Sequence, residues 1–350
     1  MSPRLLAIVL LLLLLLCAAL SLCVGTSDLL SGPEALRGAL ATAGLAAPLE
    51  AYQGIARLRT LRVVLAIGVG AALALSGALL QGVFRNDLAS PGIIGISSGA
   101  SLGAALAILA IGGYGPDFLS QAPGGVARVL VTACSFLGAM GIAWLVTAIA
   151  STRGRISVPT LLLAGIAINA VVGGTLSAIQ HFALGDQNVA QALFGWLFGR
   201  LEDRQPFQIG IVWIGVLGAA AVIPFVAREL DLFAGGEDDA RALGVDTHRA
   251  KVLALVAASF AAAVAVSVAG QIAFIGLVVP HVLRRLGGAR HGILLPMCLL
   301  GGPVLLLGAD LLQRPILGQD VLPPGVAMSL VGGVFFLLLL VRNRGRLEAW

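Results

Sequence analysis

Charge is what this sequence has least of. Only 11% of its 350 residues are Asp, Glu, Lys or Arg, against about 25% in an ordinary soluble domain. Lys251 is the single lysine. With 59% apolar residues and a mean hydropathy of +1.01, the chain reads as an all-α integral membrane protein. The net charge of +5 is then no nucleic-acid footprint, because the arginines fall mostly between apolar runs and act as topology signals. A phosphate-binding loop needs Gly-Lys followed by Ser or Thr; Lys251 follows Arg249 and Ala250, so any ATP is hydrolysed by another chain. His181, His248, His281 and His291 form no HExxH pair, which leaves an intramembrane metalloprotease without ligands. Cys17, Cys23, Cys134 and Cys298 have no CxxC spacing and read as small buried hydrophobes. No metal or other cofactor is expected on this chain.

What is plentiful is glycine, 46 residues. Small residues let helix backbones approach where lipid supplies no hydrophobic drive for association. Ten apolar runs are long enough to cross a bilayer: 5–24, 63–83, 94–111, 126–150, 159–180, 207–227, 252–269, 271–287, 292–311 and 323–341. The first fits a retained helix, with a cleaved signal peptide as its rival. Residues 25–60, with Asp28, Glu34, Arg37, Glu50, Arg57 and Arg59, form an extramembrane connection with some helix. The run 189–198 is too short to cross and lies on the surface or dips in from it. One domain covers 1–350. Placing the N-terminus inside puts fourteen of the 22 Lys and Arg on the inner side, Arg153, Arg344 and Arg346 among them, so both termini face the cytoplasm.

Ion-coupled transport leaves carboxylates or histidines inside spans. Only Asp310 comes close, near an outer helix end, where a cap or surface pair accounts for it. An ion-coupled secondary carrier is the alternative reading.

Two stretches stand out. Residues 76–104 begin as an apolar helix, break into a polar turn at Arg85, Asn86 and Asp87, pass Pro91 and Gly92, and re-enter an apolar run of small residues. Such a break is tolerated at an aqueous end or along a protein-lined cavity. Residues 228–251 are the most charged stretch. Ala240, Leu243 and Gly244 keep one side of a short helical turn apolar, Gly244 suits its end, and a partner on the inner face can grip such a helix.

Three ordered blocks carry a family resemblance. Residues 77–103 are similar to the pattern Gly-x-x-x-Gln-x-x-x-x-Asn-x-Leu-Ala-x-Pro. A second block is Gly270-Gln271-Ile272-Ala273-Phe274-Ile275-Gly276-Leu277-Val278-Val279-Pro280-His281 with Arg284. The last holds Asp310 and Arg314, Pro323-x-Gly325 and Gly332-Gly333-x-Phe335-Phe336. The chain resembles a permease subunit of the ferric-siderophore, haem and cobalamin class of ATP-binding-cassette importers, with the type II permease architecture. The resemblance implies a second permease subunit, identical or homologous, two cytoplasmic ATPase subunits that use the ATP, an external substrate-binding protein, and a bacterial cytoplasmic-membrane location. It implies an ATPase contact at Glu237, Ala240, Arg241, Leu243 and Gly244. It places Gln81, Asn86, Gly95, Ser98, Gly99, Gln271 and Pro280 along the pathway, and Arg59 or Arg62 at the binding-protein surface. Bland readings stand beside these: Asn86 as a helix cap, Pro280 and His281 as the end of a span, the arginines as phospholipid contacts. The sequence departs from the pattern at Leu61, Asp87, Val321 (with Asp320 before it) and Val334.

Overall fold

The computed structural model describes residues 2–25, 30–47, 53–112, 125–152, 155–317 and 322–342. Asp28, Glu50, Arg153, Asp320, Val321, Arg344 and Arg346 lie outside them. The described residues form fourteen helices and one short hairpin. In order they are α1 (Pro3–Cys23), α2 (Gly32–Thr42), α3 (Gln53–Phe84), α4 (Ile96–Ile111) and α5 (Val126–Ala150). The antiparallel pair β1 (Ser151–Thr152) and β2 (Arg155–Ile156) leads into α6 (Val158–Ala183) and α7 (Gln187–Leu197). Then follow α8 (Pro206–Ala221), α9 (Ile223–Phe233), α10 (Glu237–Ala242), α11 (Thr247–Ala269), α12 (Ile275–Gly287), α13 (His291–Leu317) and α14 (Pro324–Arg342).

The bundle is wrapped around α3. Its most apolar window is 89% buried, and α8, α11, α12 and α13 all pack on it. Close packing needs the missing side chains. A Cβ on Gly77 would run into the backbone carbonyl of Gly276 on α12, and one on Gly70 into the backbone at Gly302 on α13. The α4–α5 pair is built the same way, Gly99 lying on the Gly138 carbonyl. Lipid cannot drive helices together, so dispersion across such tight seams does.

Among the described residues, six helices are long and apolar enough to span a membrane: α1, α3, α5, α6, α11 and α13. The expected span 207–227 is broken, with α8 and α9 meeting at 55°, because Pro224 in the first turn of α9 has no N–H to continue the ladder. Counted as one span the pair makes seven, and α4 and residues 324–338 are shorter apolar helices. The expected span 271–287 is not a full one. Residues 271–273 are non-helical, Gly270 and Phe274 turn the chain at φ +75° and +66°, and α12 has 13 residues, about 20 Å at 1.5 Å per residue. The short run near 189–198 forms α7, which buries Val189, Leu193 and Trp196 and packs on α4.

Candidate functional site

At one end of the bundle α10 projects between α9 and α11. Gly236 starts it at φ +128°, and Glu237, Asp238 and Asp239 occupy its first turn, where the helix dipole favours negative charge. It stops in a complete Schellman turn: Gly244 N–H donates to Arg241 O (2.9 Å) and Val245 N–H to Ala240 O (3.1 Å), with Gly244 at φ +84°. The surface differs from expectation at one residue. Ala240 is 0% exposed, because it faces back onto the chain's own bundle. Leu243, 69% exposed, and Gly244, with open space where a Cβ would stand, are what α10 presents outward. They border a groove of about 490 Å³ shared with Phe225, Leu232 and Arg249.

Arg241 pairs with Glu237 (2.5 Å) and Asp238 (3.0 Å), and Lys251 Nζ donates to the other Glu237 oxygen (2.5 Å). Burial pushes the Glu237 carboxyl up, but the hydrogen bond and charge of Lys251, with Arg241 and Thr247, outweigh it and hold the group below the usual carboxylate range. A depressed folded-state value stabilises above the unfolded value, about 4.3 for Glu, and that stabilisation is lost as pH falls through the lower folded one. Thermal stability is therefore expected to drop between about pH 5 and pH 3, and Glu237→Gln to flatten that part of the profile in differential scanning fluorimetry.

At the same end the two signature blocks meet. Pro280 is buried inside α12, which continues to Gly287 rather than ending there. Having no N–H, it leaves free the carbonyl of Gly276, four residues back. Gln81 of α3 fills the gap, its Nε2 donating to Gly276 O (3.2 Å) and reaching Ala89 O (3.4 Å). Gln81 Oε1 accepts from Arg284 (2.5 Å), which also pairs with Asp87 (2.8 Å). Gln81 thus lies on the wall of a cavity of about 650 Å³ with its amide committed to joining α3, the turn and α12. Asp87, where the family pattern has proline, supplies a charge for Arg284. Asn86 accepts from Leu88 N–H (2.9 Å) and closes the turn.

The chain then enters α4 through Gly95 at φ +82°. Ser98 Oγ donates to Gly95 O (3.0 Å) and meets the side-chain oxygen of Asn169 on α6. Asn169 in turn donates to Gly92 O (2.9 Å). Sequence reasoning missed Asn169, although an uncharged amide in the middle of an apolar run was a visible signal. Gln271 Nε2 donates to Ser101 Oγ, so the non-helical stretch before α12 is tied to α4.

The opposite end holds the arginines. Arg59 donates to Leu22 O (3.2 Å) and Cys23 O (3.0 Å), satisfying the last carbonyls of α1. Arg62 pairs with Glu202 (2.7 Å) and with Asp310 (2.6 Å). Asp310 is no surface pair: it is 2% exposed and takes Arg314 on its second oxygen (2.5 Å). Arg314 also donates to Ser21 and Val24, locking α1 onto α13. The carboxylate that ion coupling would use is thus committed to two guanidinium groups. Removing one partner of a buried ion pair strands the other charge, at about 3–5 kcal/mol. Asp310→Ala is expected to lose stability on that scale in thermal unfolding of the detergent-solubilised protein.

This polytopic helical bundle, with a short outward-facing helix at one end and an internal α3–α12 junction beneath it, has the fold of a type II importer permease. The chain belongs to the FecCD transport family, whose model matches residues 11–342. It is 38% identical to the cobalamin import system permease protein BtuC of Halobacterium salinarum over 85% of this chain and 78% of that one. It is 39% identical to the hemin transport system permease protein HmuU of Yersinia pestis over 82% of this chain and 83% of that one. The fold matches the inward-facing structure of an ABC transporter assigned to the metal-chelate type, at TM-score 0.79 and 27% identity, covering 97% of this chain and 99% of that one. The protein is a multi-pass, non-catalytic permease subunit of an ABC importer, and ATP is used by separate ATPase subunits.

Proposed function

We propose that this permease moves a metal chelate of the ferric-siderophore, haem or cobalamin type into the bacterial cytoplasm, with α10 and both termini on the inner side. The observation that carries this reading is the identity of 38–39% over more than four fifths of the chain to permeases named for cobalamin and hemin. A second permease subunit, identical or homologous, completes the pathway. The exposed Leu163, Ile166 and Val171 on α6, a helix with an apolar window only 11% buried, support a missing neighbour there. One of the two ATPases seats on Leu243 and Gly244 of this chain, and the other on the second permease subunit. ATP binding and hydrolysis displace α10, and the junction of α3 with α12 rocks to alternate access. Gln81 and Pro280 act in that junction, with Asn86, Gly95, Ser98, Gly99 and Gln271 holding the adjoining turn and α4. The external binding protein docks at the opposite end. Arg62 is the better candidate than Arg59 for meeting its acidic groups, because Glu202, with its side chain 58% exposed, can be exchanged for an incoming carboxylate.

The test is co-purification followed by reconstitution. An ATPase subunit retained in detergent, and ATP-dependent vesicle uptake of one member of a panel of ferric siderophores, haemin and cyanocobalamin, is the expected result. Uptake by the isolated chain along a proton or sodium gradient without ATP would overturn it.

A further inference from the structure

The chain's single lysine is 4% exposed near the start of α11. An isolated buried ammonium is costly, so its partners define its task. Lys251 Nζ donates to Glu237 Oε2 on α10 (2.5 Å) and reaches the carbonyl of Ile156 on β2 (3.4 Å). Glu237 is held on its other oxygen by Arg241, whose Nε donates to Thr247 on α11 (3.1 Å). Ile156 stands two residues before α6, and the adjoining Ser157 N–H donates to Ala150 O (3.0 Å) across the hairpin. One ammonium therefore touches the outward-facing helix α10, its own helix α11 and the segment from which α6 starts.

We propose that Lys251 is the positioning residue that carries displacement of α10 to the head of α6. The proposal rests on the reading of α10 as the ATPase contact. Glu237 and Arg241 both lie on α10, and Arg241 Nε already ties that helix to Thr247 of α11, so a staple of α10 to α11 alone would not need Lys251. The added reach to Ile156 serves a third element, and a tetrahedral ammonium can address two acceptors in different directions, where a planar guanidinium favours one carboxylate. At 3.4 Å that reach sits beyond the usual 2.7–3.2 Å range, so a small shift of the hairpin either makes or breaks it. The link also ends on the right helix, since α6 is the long span left most uncovered by its own chain.

The experiment is backbone hydrogen exchange on the full importer, permeases with ATPases and binding protein in lipid nanodiscs, with and without ATP and vanadate. In the wild type, trapping is expected to slow exchange about tenfold in both 237–244 and 151–157. In Lys251→Met, 237–244 still responds while 151–157 changes by less than about twofold. Glu237→Ala cuts the link from its other side and gives the same split, which keeps the test open should one variant fold poorly. A merely local staple would raise exchange without nucleotide and leave the response of 151–157 intact. That outcome in both variants overturns the proposal. Absence of any response in 237–244 of the wild type overturns the α10 reading itself, and this inference with it.

Discussion

Gly244→Glu abolishes uptake while the protein remains in the membrane at its normal level. Gly244 sits at φ +84°, and nothing stands within 4 Å of where its Cβ would be. A Cβ there meets no part of its own chain. The internal cost is the left-handed backbone alone, about 1 kcal/mol for a non-glycine residue, which a bundle of this size tolerates. The carboxylate projects beside Leu243, where an ATPase would seat. An unpaired charge buried in a contact costs several kcal/mol, and each 1.4 kcal/mol is a factor of ten, so uptake in vesicles falls below about 1% of wild type. Gly244→Asn separates the causes. Asparagine tolerates positive φ and adds no charge, so it should keep most of the activity. If Gly244→Glu transports normally, α10 is not the coupling element.

Gly77→Val removes the folded protein altogether. Gly77 is where α3 lies directly on the Gly276 carbonyl of α12, one turn from Gln81 and its bond to the same carbonyl. A Cβ at Gly77 meets backbone, which cannot swing aside as a flexible side chain would. The helices must part, and Gln81, Arg284 and Asp87 lose their geometry together. Overpacking usually costs 1–3 kcal/mol; here separation also strands buried polar groups at about 1–3 kcal/mol each. Size-exclusion chromatography in mild detergent should return aggregate in place of the wild-type peak. Gly141, where a Cβ meets nothing within 4 Å, is the control, and Gly141→Val should elute normally. A folded, transporting Gly77→Val would mean that the α3–α12 seam is not tight.

Glu202→Gln asks a narrower question at the other end. Losing the exposed half of the Arg62 contacts changes stability little, as expected for a surface pair worth about 0–1 kcal/mol. It also frees one arm of Arg62, so the binding protein should associate several-fold faster at low salt by surface plasmon resonance. No change would argue that Arg62 is not the docking group.

The membrane character, the helical class and most helix positions were legible in the sequence because lipid enforces them locally. A run of about 20 apolar residues has one low-energy conformation in a bilayer. The end of α10 was legible for a similar reason, since Leu243-Gly244 encodes its stop through backbone geometry alone. Residue roles were less legible. Ala240 looked like contact surface because its small apolar side chain fits either a partner or a core, and only packing against α9 and α11 distinguishes the two. Asp310 looked like a cap or surface pair because Arg314, four residues on, is a local partner, whereas Arg62 is 248 residues away in the chain.

The signature blocks show the division most clearly. By itself the sequence determined that 77–103 and 270–281 each combine glycine, a polar break and proline, and so mark the same kind of protein. Only the tertiary structure decided what the residues do for one another. Pro280 vacates the Gly276 carbonyl, Gln81 fills it, and Gly77 makes the approach close enough for both. A vacated acceptor is a property of one helix, whereas the donor that satisfies it depends on which helix packs alongside, and no local pattern carries that information.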